Sequence, residues 1–196
     1  MYVETLFPAF VITLEIEPNV ENICLLIIKQ KKIIYFIIKL NKLLSNFDLE
    51  KKAKYYRIPN WNGVVMKDQL PDRLITGGWI INMENKYDKS GQLNDGSHWI
   101  ALHIDPNYNA FYFDSFGFPP PISVLNYCKR TKKRIAYNSR TIQNINSSVC
   151  GLFSLTFLVY MCRKNASETS LQRFEKFINL FSDNVGKNAE ILRDII

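Results

Sequence analysis

The chain has 196 residues and a net charge of +7, and 47% of its residues are hydrophobic. This length suits one domain with a sizeable core, and this hydrophobic content excludes an intrinsically disordered tail. The four cysteines form no C-x-x-C pair and only two histidines are present. A zinc site is therefore not expected, and a reducing, intracellular setting fits best.

The first 56 residues alternate apolar runs with lysine-rich spacers and show no clean period. They predict an accessory region packed on a main domain that spans residues 57–196. Within residues 1–56, the segment 23–40 is apolar enough to suggest a membrane span. Lysines interrupt it, however, and an unbroken apolar piece such as Ile33–Ile38 is far shorter than the ~20 residues that a span needs. Two buried strands or one amphipathic helix are the better interpretations, and no membrane partner is expected.

The middle of the chain has β-type patterns separated by turn signals. Residues 62–63 (Asn-Gly) predict a turn, residues 66–70 a short helix and residues 78–84 a strand. HWIALHI (98–104) and AFYFD (110–114) are two β-rich runs separated by a turn composition, and they predict an antiparallel hairpin.

The C-terminal part is mainly helical in pattern. Residues 121–130 predict a short helix, residues 134–143 a strand, and residues 151–164 a buried helix that is apolar almost all round. Two further helices are predicted by helical spacing of Leu171, Phe174, Phe177, Ile178 and Phe181, and of Ile191, Leu192, Ile195 and Ile196. The predicted class is α+β, with a mixed or antiparallel sheet packed on helices.

Cys150 lies where a polar loop gives way to the long apolar helix. At a helix N-terminus the dipole and the free backbone N–H groups favour the reactive thiolate. Gly151 follows and allows close backbone approach, which suits an oxyanion site built on N–H groups. The alternative is a buried core cysteine, and core or surface positions without a role are the interpretation for Cys128 and Cys162.

His98 is the candidate general base. It lies five residues before His103 in one predicted strand, and an odd separation places the two on opposite faces. His98 opens the strand beside a flexible loop, as active-site residues often do, whereas His103 is expected to be packed or at the surface. In the predicted hairpin Asp114 lies beside His98, where a carboxylate would hold the imidazole tautomer and stabilise the imidazolium. Taken alone, Asp114 is better explained as a turn residue at a strand end.

Gln143 and Trp99 are the remaining candidates. Gln143 lies seven residues before Cys150, where its amide N–H could face a developing oxyanion, although a lone glutamine in a loop usually has no such role. Trp99 follows His98, and a large ring there would exclude water and restrict the imidazole. Together His98, Asp114, Gln143 and Cys150 are the parts of a cysteine hydrolase: base, orienting carboxylate, oxyanion donor and nucleophile.

A basic run accounts for the excess charge. No acidic residue occurs between Ser115 and Ser167, while eight basic residues do, and the remaining 17 basic and 18 acidic residues nearly cancel. Six of the eight lie within residues 129–140; the candidates for a polyanion or DNA patch are Lys129, Arg130, Lys132, Lys133 and Arg134. A solvated basic face is an equally good interpretation.

Three segments carry a resemblance to a known family: GSHWIAL (96–102), FYFDSFGF (111–118) and QNINSSVCGLF (143–153). An acidic residue sixteen positions after His-Trp, and a Gln seven positions before Cys-Gly-Leu-Phe, resemble the adenovirus-type maturation proteases (adenain). The same order resembles the wider Ulp1-like cysteine proteases, which cleave ubiquitin-like conjugates. The resemblance covers roughly residues 60–165.

The resemblance implies a papain-like or Ulp1-like fold whose central helix carries the nucleophile. It implies that Cys150 is the nucleophile, His98 the general base, Asp114 the orienting residue and Gln143 the oxyanion donor. Adenovirus enzymes usually have glutamate where this chain has Asp114, whereas Ulp1-like enzymes have aspartate. The segments before His98 and the FGF after Asp114 look more like the viral branch, which includes proteases of virophages and related DNA transposons.

That branch implies a cysteine endopeptidase that cleaves capsid and other precursor proteins at small-residue, Gly-containing sites during virion maturation. The expected setting is the virion and the infected cell (cytoplasm, nucleus or viral factory), with the enzyme acting as a monomer and needing no cofactor or metal. Adenovirus proteases are activated by DNA and by a disulfide-linked viral peptide. The basic run is compatible with DNA as activator, and a viral peptide is the other candidate activator. The peptide-binding cysteine does not map cleanly onto this chain, since Cys128 lies only in the same general region, and that role is not assigned to it.

Two other functions stay open at this point. One is a Ulp1-like deconjugase that acts on a ubiquitin-like modifier with the same chemistry. The other is a catalytically idle DNA- or capsid-binding protein that kept the fold.

Overall fold

The structure is a computed structural model that describes residues 44–163 and 167–196. In these ranges the strands are β1 (Trp61–Met66), β2 (Gly77–Asn82), β3 (Trp99–Ile104), β4 (Ala110–Phe113) and β5 (Ile135–Tyr137). The helices are α1 (Asn46–Tyr55), α2 (Ile122–Lys129), α3 (Cys150–Met161), α4 (Ser170–Asn179) and α5 (Asn188–Ile195). The predictions for residues 1–43 lie outside the described residues, so the accessory region stays a prediction. No helix in the described ranges is long and apolar enough to cross a membrane.

The five strands form one mixed sheet in the order β1-β2-β3-β4-β5. The inner pairs β2–β3 and β3–β4 are antiparallel, and the outer pairs β1–β2 and β4–β5 are parallel. The predicted hairpin is confirmed, with Ala101 opposite Phe113 and Ile104 opposite Ala110. Every residue of β2, β3 and β4 is buried, as expected of strands that are covered on both faces.

Helices provide that cover. On one face, Val124, Tyr127 and Cys128 of α2 pack in a core cluster with residues of β2, β3 and β4. On the other, α3 contacts β2 and β3 together with α1, α4 and α5. Ten of the twelve residues of α3 are buried, as predicted for a helix that is apolar almost all round. The predicted α+β class, a mixed sheet packed on a central helix that carries Cys150, is confirmed.

Aromatic rings form the core between α3 and its neighbours. The ring centroids of Phe113 and Phe157 lie 5.0 Å apart in a stacked pair, and Phe177 meets both rings edge-on at 5.2 and 5.3 Å. The predicted helix around Phe174 and Phe177 is confirmed as α4, which ends at Asn179, so Phe181 packs from the turn that follows it. This core fixes α3 against the sheet and therefore fixes the position of its first residue.

Two local predictions in the middle of the chain are wrong. Asn62 and Gly63 form no turn but lie in β1, where the strand register is irregular and Gly63 takes a φ of 127° that favours glycine. Residues 66–70 form no helix, because the N–H of Lys67 donates to the carbonyl of Asn82 and continues the pairing with β2. A third prediction was too long: the strand over residues 134–143 is only Ile135–Tyr137.

Candidate active site

Cys150 is the first residue of α3 and is 4% exposed. Val149 precedes it as N-cap residue and makes no side-chain capping bond. The first backbone N–H groups of an α-helix have no partner within the helix, and the positive end of the helix dipole lies there. The thiol therefore lies at the helix N-terminus that the sequence predicted.

Gly151 has a packing reason that the sequence did not reveal. A Cβ at this position would lie 3.2 Å from Cδ1 of Trp99, 3.3 Å from Cδ2 of Leu49 and 3.4 Å from Cβ of Leu44. The glycine thus lets the start of α3 lie directly against the indole ring and the α1 region. Because Cys150 is the adjacent residue, this close packing also determines how near Cys150 lies to the sheet.

His98 and Asp114 meet at the open end of the β3–β4 hairpin. His98 precedes the first residue of β3 and Asp114 follows the last residue of β4, so the antiparallel register brings them together. Nε2 of His98 lies 2.9 Å from Oδ1 of Asp114, which is fully buried. The same Oδ1 accepts a bond of 2.7 Å from the N–H of Phe116. The predicted pairing is present.

The other ring nitrogen of His98 is left for Cys150. Nδ1 is buried and has no partner at ordinary hydrogen-bond geometry among the described residues, yet the Cys150 thiol is close enough to act on the imidazole. Burial opposes protonation of His98, but Asp114 and Cys150 outweigh it and raise the pKa of the imidazole to about 9.

Two residues that the sequence reasoning missed hold this pair in place. The carboxamide of Asn138, just after β5, accepts from the N–H of Asp114 at 3.0 Å and donates to its carbonyl at 2.7 Å. The ring of Phe116 stacks on His98, with centroids 4.6 Å apart and an interplanar angle of 27°. The FGF segment was a signal for Phe116, whereas no pattern in the sequence pointed to Asn138.

Trp99 does not have the position that was predicted for it. Phe116 stacks on the imidazole, while the indole of Trp99 packs against Gly151 and donates from Nε1 to the carbonyl of Leu44 at 3.1 Å. The reason is the alternation of a strand: consecutive residues point to opposite faces. Trp99 thus supports the start of α3 rather than the ring of His98.

Gln143 is 1% exposed and connects the turn after β4 with the loop that leads to Cys150. Its Oε1 accepts from the hydroxyl of Ser115 at 2.7 Å, and its Nε2 donates to the carbonyl of Ser147 at 2.8 Å. Ser147 lies three residues before Cys150. Gln143 therefore lies next to the loop of the thiol and is rigidly bonded on both sides.

His103 is packed, as predicted. It is 8% exposed, and its ring lies 6.4 Å from that of Phe111. Burial lowers the pKa of His103 to about 4; Asp105 opposes this shift and Arg173 adds to it. A neutral, packed imidazole on this part of β3 leaves His98 as the base candidate.

Some side chains of the basic run make contacts within the fold. The guanidinium of Arg130 donates to the carbonyl of Pro71 and lies 3.9 Å from the carboxylate of Asp72, and Lys133 binds the carbonyl of Asn107. Arg140 donates to the last carbonyls around α4, those of Ile178 and Phe181. These three charges therefore have structural contacts.

A cavity of about 470 Å³ lies beside the loop of residues 93–97, which leads to His98 (the histidine loop). It is bounded by the edge strand β1, by residues 93–97 and by Trp99.

No group of three metal-ligating side chains occurs in the part of the chain that the structure describes. The arrangement is a thiol at a helix start, an imidazole, a buried carboxylate and a neighbouring amide, which is the side-chain set of a thiol-dependent hydrolase.

A comparison with known proteins finds a distant similarity to a viral protein. No family model matches it. Over 105 residues it is 32% identical to "Putative thiol protease R355" of Acanthamoeba polyphaga mimivirus, an alignment that covers 48% of this chain and 33% of that protein. The chain thus spans about a third of the length of this relative. It is distantly related to a viral protein of the thiol protease class.

Solved structures with related topology include "ASFV pS273R protease", with 17% identity, a TM-score of 0.41 and coverage of 73% of this chain and 69% of that one. A second is the central domain of the uncharacterized Lpg1148 protein from Legionella pneumophila. It has 14% identity and a TM-score of 0.39, and the match covers 78% of this chain and 93% of that one. At these TM-scores the likeness in topology is loose.

Proposed function

We propose that the chain is a viral cysteine endopeptidase of the adenain-like type, which cleaves capsid or other precursor proteins at small-residue, Gly-containing sites during virion maturation. The observation that carries the proposal is the 2.9 Å pair of His98 and Asp114, which leaves Nδ1 of the imidazole to the thiol of Cys150. The distant thiol protease relative supports the reaction class.

The proposed reaction starts from a thiolate and an imidazolium. A raised pKa of His98 means that the ring keeps its second proton near neutral pH, and that proton lies on the side of Cys150. The thiolate attacks the carbonyl carbon of the scissile peptide bond. Gln143 and the backbone N–H of Cys150 donate to the oxyanion that forms. His98 then protonates the leaving amine and activates the water that hydrolyses the thioester.

The cavity beside residues 93–97 is the proposed place for the substrate segment that precedes the scissile bond. It continues from the histidine loop and is lined by β1, an edge strand. An extended peptide there would meet strand backbone on one side and Trp99 on the other. In our proposal the enzyme acts as a monomer in the virion and the viral factory and uses no cofactor.

The test is cleavage-site mapping by mass spectrometry on the structural proteins encoded beside this gene. The wild type is expected to cut at a small set of sites, and Cys150→Ala to cut at none while it keeps the thermal unfolding temperature. Cys162→Ala is the control, because that thiol lies at the other end of α3, where it meets the carbonyl of Pro59 at 3.9 Å. Retained cleavage in Cys150→Ala would exclude the mechanism.

Cleavage of a ubiquitin-like conjugate is the second candidate. Its specific support is Asp114, an aspartate at the position where the resemblance gives Ulp1-like enzymes an aspartate and adenovirus enzymes a glutamate. Incubation with modifier conjugates and with capsid precursors separates the two functions. A protein that cuts neither, and whose Cys150 is not alkylated faster than its other thiols, would be the idle binding protein.

Activation by DNA is also part of the proposal. The basic residues to test are those whose side chains have no hydrogen bond or ion pair to the described residues: Lys129, Lys132 and Arg134. Changing all three to alanine is expected to reduce both the affinity for duplex DNA and the slope of log affinity against log salt. Cleavage that does not respond to DNA at low salt would remove DNA as an activator and leave the protease mechanism intact.

A further inference from the structure

Ser115 ties Gln143 to the turn that carries Asp114. It is fully buried, and its hydroxyl donates to Oε1 of Gln143 at 2.7 Å. Its carbonyl accepts from the backbone N–H groups of Ile142 and Gln143, both at 2.8 Å. One residue thus holds both the backbone and the side chain of Gln143.

These bonds give the carboxamide of Gln143 one orientation. The carbonyl of Ser147 can only accept, so the group that faces it at 2.8 Å must be the NH2 end of the amide. Oε1 is then turned to Ser115, whose hydroxyl can supply the donor that it needs. A flipped amide would place two oxygens against each other in a buried site. The bond to Ser147 uses one of the two N–H groups of Nε2, which leaves the other for a further acceptor.

The turn around Ser115 is also rigid. Gly117 has a φ of +79°, and a Cβ on it would lie 2.8 Å from the backbone carbon of Arg140. The carboxamide of Asn138 holds the backbone of Asp114, the residue before Ser115. The hydroxyl of Ser115 therefore has a fixed position relative to both Asp114 and the loop of Gln143.

We propose that Ser115 is the positioning residue for the oxyanion donor: its hydroxyl holds the amide of Gln143 so that the second Nε2–H faces the carbonyl oxygen of a substrate attacked by Cys150. The inference rests on the proposed protease function. In this proposal two consecutive residues of one turn orient two groups of the site: Asp114 orients His98, and Ser115 orients Gln143.

The test is a double-mutant cycle of Ser115→Ala and Gln143→Ala, assayed with a Gly-Gly aminocoumarin amide peptide. Loss of a single oxyanion donor costs about 10²- to 10³-fold in kcat, so Gln143→Ala is expected in that range and Ser115→Ala at about 10-fold or more, each with little change in KM. In the Gln143→Ala background, Ser115→Ala should change kcat less than about twofold, because the group through which it acts is gone. Ser154→Ala is the matched control: a buried serine that donates to the carbonyl of Trp99 at 3.0 Å, whose effect should be the same in both backgrounds.

Alkylation of Cys150 by iodoacetamide separates positioning from a general disturbance of the site, because substitution at a tetrahedral carbon forms no oxyanion. Its rate is expected to be the same in the wild type and in Ser115→Ala. If Ser115→Ala does not fold, Ser115→Cys keeps the volume with a weaker donor and should reduce kcat to a smaller extent. An undiminished effect of Ser115→Ala in the Gln143→Ala background, with an active wild type, would overturn this inference alone. A wild type that is alkylated at Cys150 but hydrolyses no peptide and binds no peptide aldehyde would overturn the protease function and this inference together.

Discussion

Nε2 of His98 and Oδ1 of Asp114 lie 2.9 Å apart at the open end of a hairpin whose closed end is held by a second aspartate, Asp105. Asp105 accepts from the N–H of Asn109 at 2.8 Å and from its side chain at 2.9 Å, which closes the turn. The two aspartates thus have different surroundings at the two ends of the same pair of strands. Asp105 closes its turn and is also bonded by the side chain of Ser170, whereas Asp114 bonds to an imidazole.

Asp114→Asn should lower kcat/KM by about 10²-fold or more, because an amide neither holds the correct tautomer nor stabilises the imidazolium. It should also change the pH profile. In the wild type the imidazolium is lost as the pH rises through the pKa of His98, about 9, so activity should fall on that side. Removal of the hydrogen bond and negative charge of Asp114 lowers that pKa, so the alkaline limb should move to lower pH. The measurement is kcat/KM from pH 5 to 10.

Asp105→Asn is the matched control for this change. It alters a carboxylate of the same hairpin that has no contact with His98, so it should affect stability and leave the alkaline limb in place. An alkaline limb that stays near pH 9 in Asp114→Asn would show that Asp114 does not set the charge of His98.

Cys150 should be the fastest of the three described cysteines to react with iodoacetamide at pH 7. Burial raises the pKa of Cys128 to about 12 and that of Cys162 to about 11, so both stay protonated, although Cys162 is more exposed than Cys150. The thiolate is the nucleophile, and Cys150 is the cysteine that lies at a helix N-terminus beside an imidazole. Peptide-resolved mass spectrometry after timed alkylation measures the three rates in one sample.

The matched comparison is His98→Ala against His103→Ala. Loss of His98 should slow alkylation of Cys150 several-fold, whereas loss of His103, whose neutral ring packs on Phe111, should not. If accessibility rather than ionisation determined the rate, Cys162 would react first in every variant.

The pair of His98 and Asp114 was predictable because a hairpin has only one simple register. Two apolar runs joined by a five-residue turn composition place the start of the first strand beside the end of the second, and the structure follows this rule. The start of α3 at Cys150 was predictable for a similar reason: a polar loop changes to a continuous apolar run at that residue. Both are local signals.

Asn138 and Ser115 were not predictable, because their partners are distant in the sequence. Asn138 binds the backbone of Asp114, 24 residues away, and Ser115 binds Gln143, 28 residues away. Side-chain bonds to a backbone or to another amide require no particular spacing. The failed turn at Asn62 has the opposite cause: the local Asn-Gly signal is real, but parallel pairing of β1 with β2 prevails and the irregularity is absorbed within the strand.

Gly151→Ala should destabilise the protein by about 1–3 kcal/mol, although alanine is the better helix former by about 1 kcal/mol. The new Cβ would lie 3.2–3.4 Å from atoms of Trp99, Leu49 and Leu44, so these closely packed neighbours must shift by a few tenths of an ångström. Because Cys150 is the adjacent residue, kcat should fall as well. Gly186→Ala is the control, since its Cβ would meet only the side chain of Asn184 at 3.5 Å. Thermal unfolding and kcat measure the two effects, and a stabilised Gly151→Ala variant would contradict the packing.

His103 should make the protein less stable as the pH falls from about 6.5 to about 4. Burial lowers the pKa of its folded-state imidazole to about 4, while the unfolded chain takes up the proton near 6.5. Between these values the unfolded state binds more protons, so its free energy falls relative to that of the folded state. The free energy of unfolding is therefore not reduced by His103 above pH 6.5, and protonation of the unfolded chain reduces it by about 3 kcal/mol at most by pH 4.

The contribution of His98 to stability changes with pH in the opposite direction, so the effects of the two histidines can be distinguished. Its pKa is raised to about 9, so its contribution is present below pH 6.5 and is lost as the pH rises through 9. Urea unfolding at a series of pH values should show that His103→Gln flattens the acid side and Asp114→Asn the alkaline side of the stability profile. Carboxylates also titrate below pH 5, so the informative quantity is the difference in unfolding free energy between wild type and variant. A difference for His103→Gln that does not change between pH 7 and 4.5 would mean that His103 is not held neutral in its packed site.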